Sequence, residues 1–224
     1  LYRPWAAALP PHVELCIAQL PGREARMAEP AFTSARALAR ALADALGPGD
    51  GVPRAFFGHS MGALIAFELA RELRRRALPG PGHLFVSGCR APHLPARSLP
   101  LHGLPDAAFA AHVHHLAGIP PEALRNPAFM ALLVPMLRAD FTLAETYAHT
   151  PELPLECPIT AFGGAEDAGV APGELQAWAA HTRSGFGMRF FPGRHFFVQS
   201  AGPPLLQAIE HALAPLLRGA ARPA

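Results

Sequence analysis

The sequence has no lysine: all 19 of its basic residues are arginine. Against 17 acidic residues this leaves a formal net charge of +2, and the only dense basic run is Arg74-Arg75-Arg76. That run reads as the solvated end of a helix. So small a net charge gives no case for a nucleic-acid-binding protein, which would show a strong basic patch. Cysteine is scarce too. Cys16, Cys89 and Cys157 are odd in number and form no Cys-x-x-Cys, so neither a disulfide framework nor a zinc site is indicated. The chain reads as a reduced, cytoplasmic protein. No apolar run approaches the ~18 residues of a membrane span, and no signal-peptide pattern opens the chain. Charged residues make up only 16%, against 50% hydrophobic, in 224 residues. That balance argues against disorder and allows one domain with a sizeable core. Gly and Pro together fill 46 positions without a collagen-like period, which predicts many loops.

Apolar runs alternate with helical patterns. His12–Gln19, Arg54–Gly58, His83–Ser87, Cys157–Gly163 and Met188–Phe191 are strand-like. Helical spacing covers Ala31–Leu46, with Leu38, Leu42 and Leu46 four residues apart behind a cap at Thr33 or Ser34. It also covers Met61–Leu78, with Leu64, Phe67 and Leu73 on a core face, then Pro172–Thr182 and Pro203–Arg218. This alternation predicts an α/β fold with a mainly parallel sheet. Leu104–Tyr147 breaks it: the region looks helical throughout, punctuated at Gly118-Ile119-Pro120-Pro121 and Asn126-Pro127. Helices inserted between two strands of such a sheet predict a lid over a site. The expected organisation is one domain over residues 1–218, a lid insertion at about 104–147, and a tail at 219–224.

Gly58-His59-Ser60-Met61-Gly62 is Gly-x-Ser-x-Gly between an apolar strand and a helix. That context points to a nucleophile elbow, with Ser60 on a strained turn and Gly58 and Gly62 giving the backbone room. The N–H of Met61, at the start of the helix, becomes an oxyanion donor. A serine hydroxyl needs a base, and the base needs an orienting acid. Among twelve histidines, His195 follows the last strand on a Gly-containing loop, where an α/β-hydrolase presents its base. His59 reads as packing within the elbow. His112, His114 and His115 have a spacing that suggests a metal, but without an acidic or Cys partner nearby they read as lid surface. His181 and His211 read as structural. The segment after the elbow helix's strand, Ser87–Pro92, holds no carboxylate. Glu166 and Asp167 end the strand before that of His195, and Asp167, three residues after Gly164, is preferred.

Taken together, Leu20-Pro21-Gly22-Arg23-Glu24, the elbow, Arg138-Ala139-Asp140-Phe141 with Glu145-Thr146-Tyr147, and Pro192-Gly193-Arg194-His195-Phe196-Phe197 resemble the type II thioesterases. These are the stand-alone editing enzymes of polyketide and nonribosomal peptide assembly lines, α/β-hydrolases by fold. The resemblance runs from Leu1 to about Leu217. It implies hydrolysis of acyl or aminoacyl thioesters from the phosphopantetheine arm of an acyl or peptidyl carrier protein, by a monomer, with helices on both faces of the sheet and a mobile lid. No metal or cofactor is required. Ala168 stands where the family usually has Pro. The family's first strand and its oxyanion loop should precede Leu1, so the expected structure lacks a strand pairing near His12–Gln19. Alternative readings are a releasing or cyclising thioesterase domain cut from a synthase, a general esterase, and a truncated, non-catalytic carrier-binding homologue.

Overall fold

The computed structural model describes residues 2–49, 51–97, 99–116 and 126–220. Their helices and strands follow in the order α1 (Ala35–Leu46), β1 (Ala55–His59), α2 (Met61–Arg75), β2 (His83–Ser87), α3 (Asp106–Leu116), α4 (Pro127–Glu145), β3 (Ile159–Gly164), α5 (Pro172–Gln176), β4 (Phe186–Phe191), α6 (Phe197–Ser200) and α7 (Gly202–Ala220). Short 3-10 turns occupy Arg3–Ala7, Glu24–Arg26 and Ala177–His181. The chain divides into two compact units. One is Leu1–Ala18, Ala39–Leu94 and His149–Ala224; the other is Gln19–Leu38 with Pro95–Ala148.

The first unit holds the sheet. Its four strands pair in parallel in the order β1-β2-β3-β4. The register sets Phe57 beside Phe85. The pleat carries Phe57, Phe85, Phe162 and Phe191 to one face, where they pack with Trp5 and with Leu205 and Ile209 of α7. Phe56 turns the other way, against Ala39 and Ala43 of α1 and Leu69 and Leu73 of α2. Helices therefore cover both faces, which explains why the strands read as apolar runs rather than as alternating patterns.

Helix α2 is buried from Ala63 to Leu73, including Glu68, Arg71 and Glu72. Burying those charges is tolerable only because they are paired. Arg71 meets Glu68 at 2.6 Å, with both side chains fully enclosed. Arg71, Arg74 and Arg75 all reach Glu152, at 2.7, 2.8 and 2.8 Å. Arg76 bridges Glu72 and Asp44. The same helix holds the backbone near Glu152: Arg71 donates to the carbonyl of Thr150, and Arg74 to those of Leu153 and Pro154. Burial alone would raise Glu152, but the hydrogen bonds from Arg75, Arg74 and Arg71 hold it down at about 2. The Arg74–Arg76 run does end the helix, with Arg75 exposed and Arg74 and Arg76 half-buried, but it is ion-paired rather than simply solvated. Some acidic partners lie three, four or seven residues away, but Asp44 is 32 residues from Arg76 and Glu152 is 77 or 78 from Arg75 and Arg74, where a local charge count does not pair them.

The second unit is braced by the same motif residues that carry the family resemblance. Arg23 pairs with Asp140 at 2.5 Å. Burial outweighs that pairing and keeps the Asp140 carboxyl above its ordinary value. Arg138 donates to the carbonyls of His102 and Leu104, pairs with Asp106 at 2.6 Å, and lies over the Phe109 ring. Phe141 meets Phe109 edge-on, and Glu145 accepts the N–H groups of Leu101 and His102. The unit therefore takes in Gln19–Leu38 as well as the insertion expected at 104–147.

Three further sequence expectations differ from the structure. His12–Gln19 is not a strand: among the described residues the sheet has four members, and no ladder pairs this segment. Apolar content without a pairing partner does not make a strand. The helix expected over Pro172–Thr182 is α-helical only to Gln176 and then tightens to 3-10. The last helix runs on to Ala220, into the expected tail. The Gly118–Pro121 punctuation lies outside the described residues. No helix among the described residues is long and apolar enough to cross a membrane.

Candidate active site

Strand β1 delivers the chain into a turn that only a special backbone can make. Ser60 sits at φ 54°, ψ −123°, a left-handed conformation that costs a non-glycine residue ~1–3 kcal/mol. Two bonds hold it there. Its N–H donates to the carbonyl of Ser87 at 2.7 Å, and its own carbonyl accepts from Ala63 at 2.9 Å. Gly58 is compulsory: a Cβ there would lie 2.0 Å from the carbonyl oxygen of Gly62. Gly62 differs from the sequence expectation, because a Cβ at this position meets nothing within 4 Å. The room the turn needs is at Gly58, where β1 passes beneath the start of α2. Met61 is the first residue of α2, so its N–H has no intrahelical acceptor and remains available to an anion.

The loops after β3 and β4 bring two more side chains to this turn. His195 Nε2 stands 3.0 Å from Ser60 Oγ, and His195 Nδ1 stands 2.8 Å from Asp167 Oδ2. The other carboxylate oxygen of Asp167 accepts the N–H of Gly169 at 2.8 Å. Burial would raise the Asp167 carboxyl, yet the bonds from His195 and Gly169 hold it below its usual value. It is therefore ionised at neutral pH and able to fix the imidazole with its proton on Nδ1. Glu166, the other sequence candidate, faces elsewhere: its N–H donates to Gly193 O at 3.0 Å, and its side chain accepts from Gly193 N at 3.3 Å. It ties the two loops together. Gly164 lets them meet, since a Cβ there would fall 2.5 Å from the Arg194 carbonyl.

Sequence reasoning overlooked Ser87 and Gly88. Ser87 is fully buried at the end of β2, and its hydroxyl lies 2.9 Å from His59 Nδ1. Gly88 adopts φ +55°, and a Cβ there would press on the His59 ring at 2.6 Å. The signal was available, since Ser-Gly ends the strand that neighbours the elbow strand. Of the other histidines, His112 bonds the Ala108 carbonyl within its own helix, and the side chains of His114 and His115 lie outside the described residues. His181 meets His93 at 2.7 Å, and His211 is exposed on α7.

Three buried imidazoles make stability depend on pH. Burial pushes His83 down to about 4; burial, then the nearby His195, does the same to His59; burial, then the nearby His93, His149 and Arg71, does so to His181. Each folded value lies below the ordinary 6.5, so the unfolded chain takes up protons first as pH falls. Stability present above pH 6.5 is expected to drop between pH 6.5 and 4, and the contribution of these groups levels off below 4. Urea midpoints measured across that range test this, and His83→Gln should reduce the slope by about one proton. A flat profile would contradict it.

A parallel sheet whose strand-to-helix turn presents a serine, with the imidazole and carboxylate supplied by loops at the same ends of neighbouring strands, is the layout of an α/β-hydrolase. The thioesterase domain family matches residues 1–213, and the chain belongs to that family. LgrE of Brevibacillus parabrevis, named a linear gramicidin dehydrogenase, is 44% identical over 222 residues, covering 98% of this chain and 84% of its own. The structure of the RedJ thioesterase from the prodiginine pathway of Streptomyces coelicolor is 40% identical with a TM-score of 0.87, over 95% of this chain and 84% of that one. The type II thioesterase BorB of the borrelidin cluster is 35% identical with a TM-score of 0.85, over 95% and 86%. The dehydrogenase in the first name is that protein's own; both solved relatives are thioesterases. This chain is accordingly a serine-hydrolase thioesterase of the α/β-hydrolase fold.

Proposed function

We propose that the enzyme removes acyl or aminoacyl groups from the phosphopantetheine arm of carrier proteins in polyketide or nonribosomal peptide biosynthesis, as an editing thioesterase. The observation that carries the chemistry is the 3.0 Å approach of His195 Nε2 to Ser60 Oγ on the strained elbow. Ser60 attacks the thioester carbonyl while His195 takes its proton. The oxyanion is met by the Met61 N–H, and Asp167 stabilises the imidazolium without taking the proton. The thiol departs with the proton held by His195. Water, deprotonated by the same imidazole, then releases the acid and regenerates Ser60. The substrate class rests on the resemblance and on relatives from assembly-line pathways. The helical insertion is proposed as the lid that gates acyl entry, and the working form as a cytoplasmic monomer.

The test is hydrolysis of an acyl group loaded on a phosphopantetheinylated carrier protein, followed by intact-protein mass spectrometry. Its kcat/KM is expected to exceed that for the matching p-nitrophenyl ester by at least about tenfold, since binding energy from remote parts of a substrate drives the reacting centre. A preference for the free ester would instead make the protein a general esterase.

A further inference from the structure

His59 takes no part in the proton transfers above, yet it is set with more care than a packing residue needs. Only 7% of it is exposed. Its Nδ1 is tied to the Ser87 hydroxyl at 2.9 Å. Its Nε2 is buried, and the ring is also held by the backbone of His195. The ring lies 5.1 Å from that of His195, tilted by 50°, with Phe196 and Phe197 closing its other sides at 5.9 and 5.7 Å. Ser87 does two things at once: its carbonyl holds the N–H of Ser60, and its hydroxyl sets the plane of the His59 ring. Gly88 leaves no Cβ in the way.

We infer that His59 is a positioning residue: its ring, locked by Ser87, is the wall that keeps the His195 imidazole aligned between Asp167 and Ser60. The bonds of His195 to Asp167 and Ser60 fix the two ends of the ring and leave it free to tilt about the line between them. A flat neighbour at van der Waals range removes this freedom. Such a wall must carry no charge, because His195 becomes an imidazolium in each half-reaction. Burial supplies that condition by pushing His59 down to about 4. The inference rests on the proposed roles of Ser60 and His195.

Two substitutions separate the ring from its tether. His59→Asn keeps a hydrogen-bonding atom for Ser87 and removes the ring face, whereas His59→Phe keeps the ring and loses the bond. His59→Asn is expected to lower kcat for thioester hydrolysis about tenfold or more, with KM within twofold and fluorophosphonate labelling of Ser60 slowed in parallel, because small misalignments cost rate rather than binding. His59→Phe should recover at least half of that loss on a logarithmic scale. Ser87→Ala should cost about threefold in kcat in the wild-type background and nothing further in His59→Phe, since the hydroxyl acts only through the His59 ring. It removes a single oxygen and carries the test alone if His59→Asn fails to fold. Unchanged kcat in His59→Asn or in Ser87→Ala overturns the inference. So does an equal effect of Ser87→Ala in both backgrounds, or a loss confined to KM. Ser60→Ala run alongside keeps the two levels apart. Activity surviving in Ser60→Ala would fail the catalytic reading, whereas an inactive Ser60→Ala beside an unaffected His59→Asn fails only the role of His59.

Discussion

Ser60→Ala is expected to lower kcat by about 10⁵–10⁶-fold, the loss seen when the nucleophile of a cooperating serine–histidine pair is removed. The size of the effect follows from the geometry. His195 Nε2 meets the hydroxyl at 3.0 Å, and no acyl-enzyme can form without it. What survives is ascribed to the proposed oxyanion donor, the Met61 N–H, and to substrate binding, neither of which supplies a nucleophile. Stability should hardly change. The φ of 54° is imposed by the Ser87 carbonyl and by the start of α2, and alanine inherits it without a new clash. Rapid-quench mass spectrometry with the loaded carrier protein makes the measurement. An acyl adduct on the variant, or a rate within a hundredfold of wild type, would remove Ser60 from the mechanism.

Gly58→Ala is expected to damage the fold itself. The added methyl would lie 2.0 Å from the Gly62 carbonyl oxygen, 2.3 Å from its carbon and 2.6 Å from the Ala63 nitrogen. All three are backbone atoms of the first turn of α2, so no side chain can swing aside. Either β1 or α2 must shift, and both are packed in the core. Forcing extra carbon into close-packed surroundings costs ~1–3 kcal/mol when side chains give way. Here the expected loss is at least about 3 kcal/mol, a large part of the ~5–15 kcal/mol that holds a domain together. The elbow angle should be lost with it, and hydrolysis too. Gly62→Ala is the matched control: the same atom added four residues later meets nothing within 4 Å. Its urea midpoint should stay near wild type, or rise through better helix propensity. Equal losses in the two variants would show that the glycines act through chain flexibility instead of through contact.

Several of these features could be read from residue order, because they depend on neighbours in the chain. An apolar strand, Gly-x-Ser-x-Gly and a helix are all local. So are the strand and Gly-containing loop in front of His195, and the alternation that marks a parallel sheet. What escaped the sequence depends on partners that only folding brings together. Arg74–Arg76 look solvated until Glu68, Glu72 and Glu152 arrive. His12–Gln19 has strand chemistry but pairs with no strand among the described residues. Arg23 and Asp140 lie 117 residues apart, so no periodicity could reveal that Gln19–Leu38 belongs with the insertion. Gly62 and Gly58 are equal as letters in a motif; only the approach of the first turn of α2 distinguishes them.

The arginines of α2 have a consequence for how this chain can be cut and rejoined. Arg71 and Arg74 hold Thr150, Leu153 and Pro154 by their carbonyls, and Arg71, Arg74 and Arg75 hold Glu152 by its side chain. They act as a mooring just ahead of β3. The insertion from Pro95 to Ala148 can change in length or sequence without altering the register in which β3 joins β2, because that register is fastened downstream. A graft boundary just before this mooring should therefore accept the helical insertion of a different relative while the elbow and its histidine loop keep their alignment. A boundary placed after Pro154 would separate Glu152 from its three guanidinium groups and leave the buried Arg71 with one acidic partner fewer.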